Sequence, residues 1–101
     1  IANNSAPCTS RSNSIASLEN QVRSLNTNAD SVKLLTGKLK VAKRKIVDGN
    51  IISGRYALKA FIDVAVWRSN LPPSDPRHVE PESAADVICA AGNMLSRLDA
   101  F

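Results

Sequence analysis

Residues 14–47 read SIASLENQVRSLNTNADSVKLLTGKLKVAKRKIV, and the fold turns on whether that run is one helix or two. Apolar side chains fall at Ile15, Leu18, Val22, Leu25, Ala29, Val32, Leu35, Leu39, Ala42 and Ile46. Steps of three and four are helical spacing. Here they come close to a heptad repeat, with one discontinuity at residues 32–35. Asn13 or Ser14 can cap the start, because a short polar side chain accepts from the free N–H groups of a first turn. Asp48-Gly49-Asn50 supplies a glycine stop. Asn26-Thr27-Asn28 is the weak point: these are poor helix formers, and Thr27 with Asp30 has the spacing of a capping pair. The stripe keeps its stepping across that point, so a single helix over 14–47 is expected, with two helices as the alternative. Gly37 costs about 1 kcal/mol against Ala inside a helix, and is expected to admit a close neighbour.

Working outward, residues 51–69, IISGRYALKAFIDVAVWRS, form the most apolar segment. Arg55, Lys59 and Asp63 recur at i,i+4 and leave only a narrow polar strip, on which Lys59 and Asp63 can pair. The regular strip argues for helix, although Phe61–Trp67 is rich in strand-favouring residues. Such a helix is either the centre of a bundle or shows an apolar face to a partner. Residues 70–80 hold Pro72, Pro73 and Pro76, which forbid a continuing helix and predict a surface linker. Pro81 fits a first helical turn, with Glu82 and Asp86 near its positive end. Ala84, Ala85, Ile88, Ala91, Leu95 and Leu98 then stripe a last helix over 82–99. Residues 1–13 read as a polar tail or strap. The expected fold is all-α. It is a single domain over 14–101, a small three-helix bundle with a long first helix, or four helices if residues 26–28 break it.

Length and composition agree. The 101 residues, 44% apolar and 22% charged, suffice for one small domain and exclude a nucleotide-binding double domain or a barrel. No run of 18 apolar residues exists to span a bilayer. Thirteen Lys and Arg against nine Asp and Glu give +4, distributed unevenly. Residues 33–59 carry Lys33, Lys38, Lys40, Lys43, Arg44, Lys45, Arg55 and Lys59 against Asp48 alone. Lys33, Lys40 and Arg44 are expected on one helical ridge, with Lys43 beside it and Lys38 and Lys45 on another flank. A concentrated cationic stretch steers anionic partners. Tyr56 and Trp67 stand eleven residues apart and can share a face, either in the core or as interface anchors.

The two cysteines, Cys8 and Cys89, match no metal or redox spacing. They are expected to form a disulfide tying the tail to the last helix, which a small domain would benefit from. That bond implies an oxidising compartment: secreted, periplasmic or an organelle lumen. Asn3-Asn4-Ser5 is a glycosylation triplet, and the start at Ile1 is read as the mark of a processed product or fragment.

Catalytic constellations are scarce. His78 is the only histidine and lies among prolines; Glu80, Glu82 and Asp86 are explained by a helix start. Thr36-Gly37-Lys38 lacks the upstream glycines of a phosphate loop. No enzyme, metal or cofactor is expected, and no motif identifies a family. The expected role is a non-catalytic accessory or structural subunit. It would dock on an acidic protein surface or an anionic membrane-complex surface through the basic residues above, with Tyr56 and Trp67. The alternatives are a secreted helical module or effector recognising a protein receptor, and a small nucleic-acid-binding protein. The last is disfavoured because the basic run lacks interleaved aromatics and a recognition helix.

Overall fold

The computed structural model describes residues 14–25 and 27–99, so the tail, with Cys8 and Asn3, lies outside the described residues. Four helices follow in order: α1 (Ile15–Arg23), α2 (Ala29–Val47), α3 (Ile51–Ser69) and α4 (Pro81–Asp99). The expected long first helix is not formed. The first helix is the shortest of the four, with nine residues.

The break has a local chemistry. Ser24 closes α1, its hydroxyl donating to the Gln21 carbonyl at 2.7 Å. Asn28, rather than Thr27, caps α2 by accepting from Ser31 N–H at 2.8 Å. The stepping through residues 14–47 misleads because heptad spacing drifts on a straight helix by about 20° per heptad. Ala29, counted in the stripe, is exposed, and the inward place in the first turn of α2 belongs to Ser31. At about 100° per residue, the buried positions of α1 and α2 would sit roughly a third of a turn apart on one rod. Only separate helices can turn both sets inward.

Among the described residues the packing pairs are α1–α2, α2–α3, α3–α4 and α4–α1, a closed ring without a diagonal. No helix is central, α3 included. The core takes Leu18 and Val22 from α1, Leu35, Leu39 and Ala42 from α2, Leu58, Phe61 and Ala65 from α3, and Val87, Ala90, Ala91 and Met94 from α4.

The α2–α3 turn is built as the glycine stop requires. Gly49 has φ 86°, Asn50 N–H donates to the Lys45 carbonyl at 2.8 Å and Gly49 N–H to the Ile46 carbonyl at 3.0 Å. This is the double closure of a Schellman motif, in which a left-handed residue satisfies the last carbonyls. Asn50 then caps α3 by accepting from Ser53 N–H at 3.2 Å. Three residues thus serve both helix ends and force α3 to run back along α2. Close approach of the pair comes from Gly54. A Cβ there would stand 2.6 Å from Ile46 Cγ1. The role expected for Gly37 is corrected, since a Cβ at that position meets nothing within 4 Å.

The Pro-rich linker does more than cross the surface. Val79 is 1% exposed, and its N–H donates to the Arg68 carbonyl at the end of α3 at 3.2 Å. Thr27 Oγ1 donates to the His78 carbonyl at 2.8 Å, and Ser31 Oγ to the Arg77 carbonyl at 2.9 Å. The linker therefore closes one end of the bundle, where α1 meets α2 and α3 finishes.

The expected Cys8–Cys89 disulfide involves Cys8, which lies outside the described residues. Cys89 is half-buried on α4 and is not a free thiol; the Asn93 amide donates to its Sγ at 4.0 Å. No described helix is long and apolar enough to cross a membrane.

The two glycines generate opposite expectations. Gly37→Ala should raise stability by about 1 kcal/mol, because the position is helical and open. Gly54→Leu should lower it by about 2 kcal/mol or more, through overpacking against Ile46. Urea unfolding of both variants checks the α2–α3 contact.

Candidate functional site

The exposed side of α2 carries the predicted cations, but not as one surface. Lys33, Lys40, Lys43 and Arg44 are exposed; Lys38 and Lys45 are half-buried. At about 100° per residue, Lys33, Lys40 and Arg44 form one row, with Lys43 beyond it, and Lys38 and Lys45 a second. Between the rows run Leu34, Gly37 and Val41. Leu34 and Val41 are 36% and 39% exposed. The result is a trough of about 440 Å³ lined by Asp30, Lys33, Leu34, Gly37, Lys38 and Val41. The expected basic patch is corrected: an apolar floor separates the ridge of Lys33, Lys40 and Arg44 from the flank of Lys38 and Lys45. That floor was open to detection in the sequence, since Leu34 and Val41 stand seven apart and off the inward stripe. Gly37 makes the depth, because it puts no side chain between them.

The second surface is the outer face of α3. Phe61 is fully buried, whereas Tyr56 is 67% and Trp67 51% exposed, as are Ile52 at 66% and Val66 at 41%. Lys59 is exposed beside them, with its Nζ 6.0 Å from the Tyr56 ring centre. Arg55 is half-buried and lines a small recess with Ile52, Tyr56 and Lys59. Lys59 and Asp63 form no ion pair with each other, contrary to the expected surface bridge.

Trp67 is held from one side. The guanidinium carbons of Arg68 and Arg77 each lie 5.3 Å from its ring centre, within the range of cation–π attraction. Arg77 is in turn fixed by Asp75, donating from Nε at 3.0 Å, from Nη2 at 2.8 Å and from its backbone N–H at 2.8 Å. The side-chain and then the backbone hydrogen bonds from Arg77 hold the Asp75 carboxyl down from 3.8 to about 2.

His78 and the acids near it do not converge on a reaction centre. His78 Nδ1 lies 2.8 Å from the Leu71 carbonyl, a tie within the linker. An open cleft of about 580 Å³ beside it is lined by Thr27, Asn28, Pro73, Asp75, Pro76, His78, Glu80 and Pro81. No three His, Cys, Asp or Glu side chains among the described residues are grouped to hold a metal ion.

The structure thus lines the α2 trough with two of the predicted cations, Lys33 and Lys38, sets Lys40, Lys43, Arg44 and Lys45 elsewhere on the same helix, and places Arg55, Tyr56, Lys59 and Trp67 on the neighbouring helix. Comparison with known proteins yields no match: no family model, no curated protein and no solved structure corresponds to this chain.

The Asp75–Arg77 pair predicts an acid response at the only tryptophan. A carboxylate held below its ordinary value supports the linker above that value and loses its effect as pH falls through the lowered one. Trp67 emission should therefore change between pH 3.8 and about 2. Asp75→Asn should remove that phase while leaving the far-UV spectrum at neutral pH unchanged.

Proposed function

We propose that this chain is a non-catalytic accessory subunit that docks on a protein partner by holding an acidic, amphipathic helix in the α2 trough. The trough carries the reading: an apolar floor of Leu34, Gly37 and Val41 between two cationic rows. From Asp30 to Val41 the floor runs about 17 Å, or three turns of helix. That length suits a helix laid lengthwise with apolar anchors at i, i+3 or i+4, and i+7. Lysine stems can cover the sides of such a helix while their ammonium groups meet its Asp and Glu. Asp30 marks one end, and a basic residue of the partner would meet it there. The charges would contribute rate and orientation more than affinity.

A protein partner is favoured over nucleic acid by the same floor. Phosphates call for continuous cations, or for aromatic faces on which bases stack. The trough offers an apolar strip in the middle and no aromatic side chain. An anionic membrane-complex surface would meet the cations but would leave the trough without an occupant.

The probe is a synthetic 18-residue helix with leucine on one face and glutamate on both flanks, followed by anisotropy in low salt. Wild type should bind it in the micromolar range. Gly37→Leu should weaken binding at least tenfold while making the fold more stable, since leucine is the better helix former. Lys33→Glu with Lys38→Glu should weaken it similarly. Equal binding by Gly37→Leu overturns the proposal, as does preferential binding of anionic phospholipid vesicles or duplex DNA.

A further inference from the structure

The outer face of α3 has a pattern that only one kind of occupant answers. Ile52, Tyr56, Lys59, Asp63, Val66 and Asn70 follow one another at steps of 4, 3, 4, 3 and 4. All six are exposed. This is the seam spacing of a coiled coil, on the side opposite Gly54, Leu58, Phe61 and Ala65. The row is symmetric about the level of Phe61. Turned end for end onto itself, it sets Lys59 against Asp63, Tyr56 against Val66, and Ile52 against Asn70.

We infer that α3 is the seam of a two-fold homodimer in which it pairs antiparallel with α3 of a second copy. The charges select this arrangement. Lys59 and Asp63 have no ion-pair partner among the described residues, yet they stand at the middle of an otherwise largely apolar row. An antiparallel second copy answers both at once, because each copy's Lys59 meets the other's Asp63. A parallel copy would oppose lysine to lysine and aspartate to aspartate, which is repulsive. A two-fold interface needs self-complementarity of just this kind, residue i to j and j to i. Any other partner would have to bring an anion and a cation at the same spacing from outside.

The seam is one helix face, about 27 Å long from Ile52 to Asn70. It lies at the small end of specific interfaces, so the dimer should form at micromolar rather than nanomolar concentration. Trp67 sits at its rim, where Arg77 and Arg68 already cover part of the ring. The α2 trough lies on a different face and plays no part in this pairing.

The test is sedimentation equilibrium of the full chain from about 1 to 200 µM, a range set by that expected affinity. Wild type should show a reversible monomer–dimer equilibrium. Lys59→Asp and Asp63→Lys, each alone, should weaken dimerisation at least tenfold. The doubly exchanged chain, K59D with D63K, should return to within about threefold of wild type, since opposite charges again face each other in the antiparallel seam. An equimolar mixture of the two single variants should form the mixed dimer, because one copy then presents two acids and the other two lysines. Circular dichroism should show all variants equally helical, the substituted side chains being exposed. A wild type that stays monomeric through the range overturns the inference. So does a dimer that both single variants keep at wild-type strength, or single-variant losses that neither the exchange nor the mixture restores.

Discussion

The hydroxyl of Ser31 is the join on which the arrangement depends. It is fully buried, donates to the Arg77 carbonyl at 2.9 Å and accepts from Arg68 Nη1 at 3.0 Å. One side chain in the first turn of α2 thereby connects the last turn of α3 with the linker to α4. A buried polar group of this kind is costly when unmatched and specific when matched. Thr27, one residue before the Asn28 cap, adds the neighbouring bond to His78. The break between α1 and α2 is therefore more than a gap between helices. It places two hydroxyls where the linker presents two carbonyls, and those bonds seat Val79 in the end of the bundle.

With the linker fixed there, the inner faces of α2 and α3 are committed to the core and to each other. Gly54 lets the two helices close, and Asp48-Gly49-Asn50 sets their antiparallel course. What remains outside is unlike on the two helices. On α2 it is apolar between cations; on α3 it is aromatic and aliphatic around a single opposed pair of charges. Among the described residues both faces hold exposed apolar side chains, and both proposals start from them. The first, cationic except for Asp30, is the face proposed for an acidic partner. The second carries both signs and can be satisfied by a copy of itself.

Much of this was legible in the sequence, and the failures have physical causes. Residues 51–69 and the last helix read almost to the residue, because their ends are set by backbone chemistry: Gly49 on one side, and Pro72, Pro73, Pro76 and Pro81 on the other. Residues 14–47 misread because three-and-four stepping fixes helical type without fixing phase. Counting Ala29 as inward hid the turn in which Ser31 takes that place. The cations of α2 stand on the two flanks the spacing implied, but the apolar floor that Leu34 and Val41 lay between them was overlooked. Tyr56 and Trp67 share the outer face of α3 as an eleven-residue interval allows, while Phe61 went to the core. The polar linker looked like surface chain because its single buried anchor, Val79, has no periodic neighbour to announce it.

The most direct measurement is the stability of Ser31→Ala against wild type by urea unfolding, read at Trp67 and in the far ultraviolet. Alanine is the better helix former, so propensity alone would raise stability by a few tenths of a kcal/mol. Loss of the hydroxyl should instead cost about 1–3 kcal/mol, leaving the Arg77 carbonyl and Arg68 unmatched. It should also shift Trp67 emission at neutral pH, as Arg68 and Arg77 lose their seat. A variant as stable as wild type, with unchanged emission, would contradict the account, because the linker and the helix ends it joins would then be held by something else.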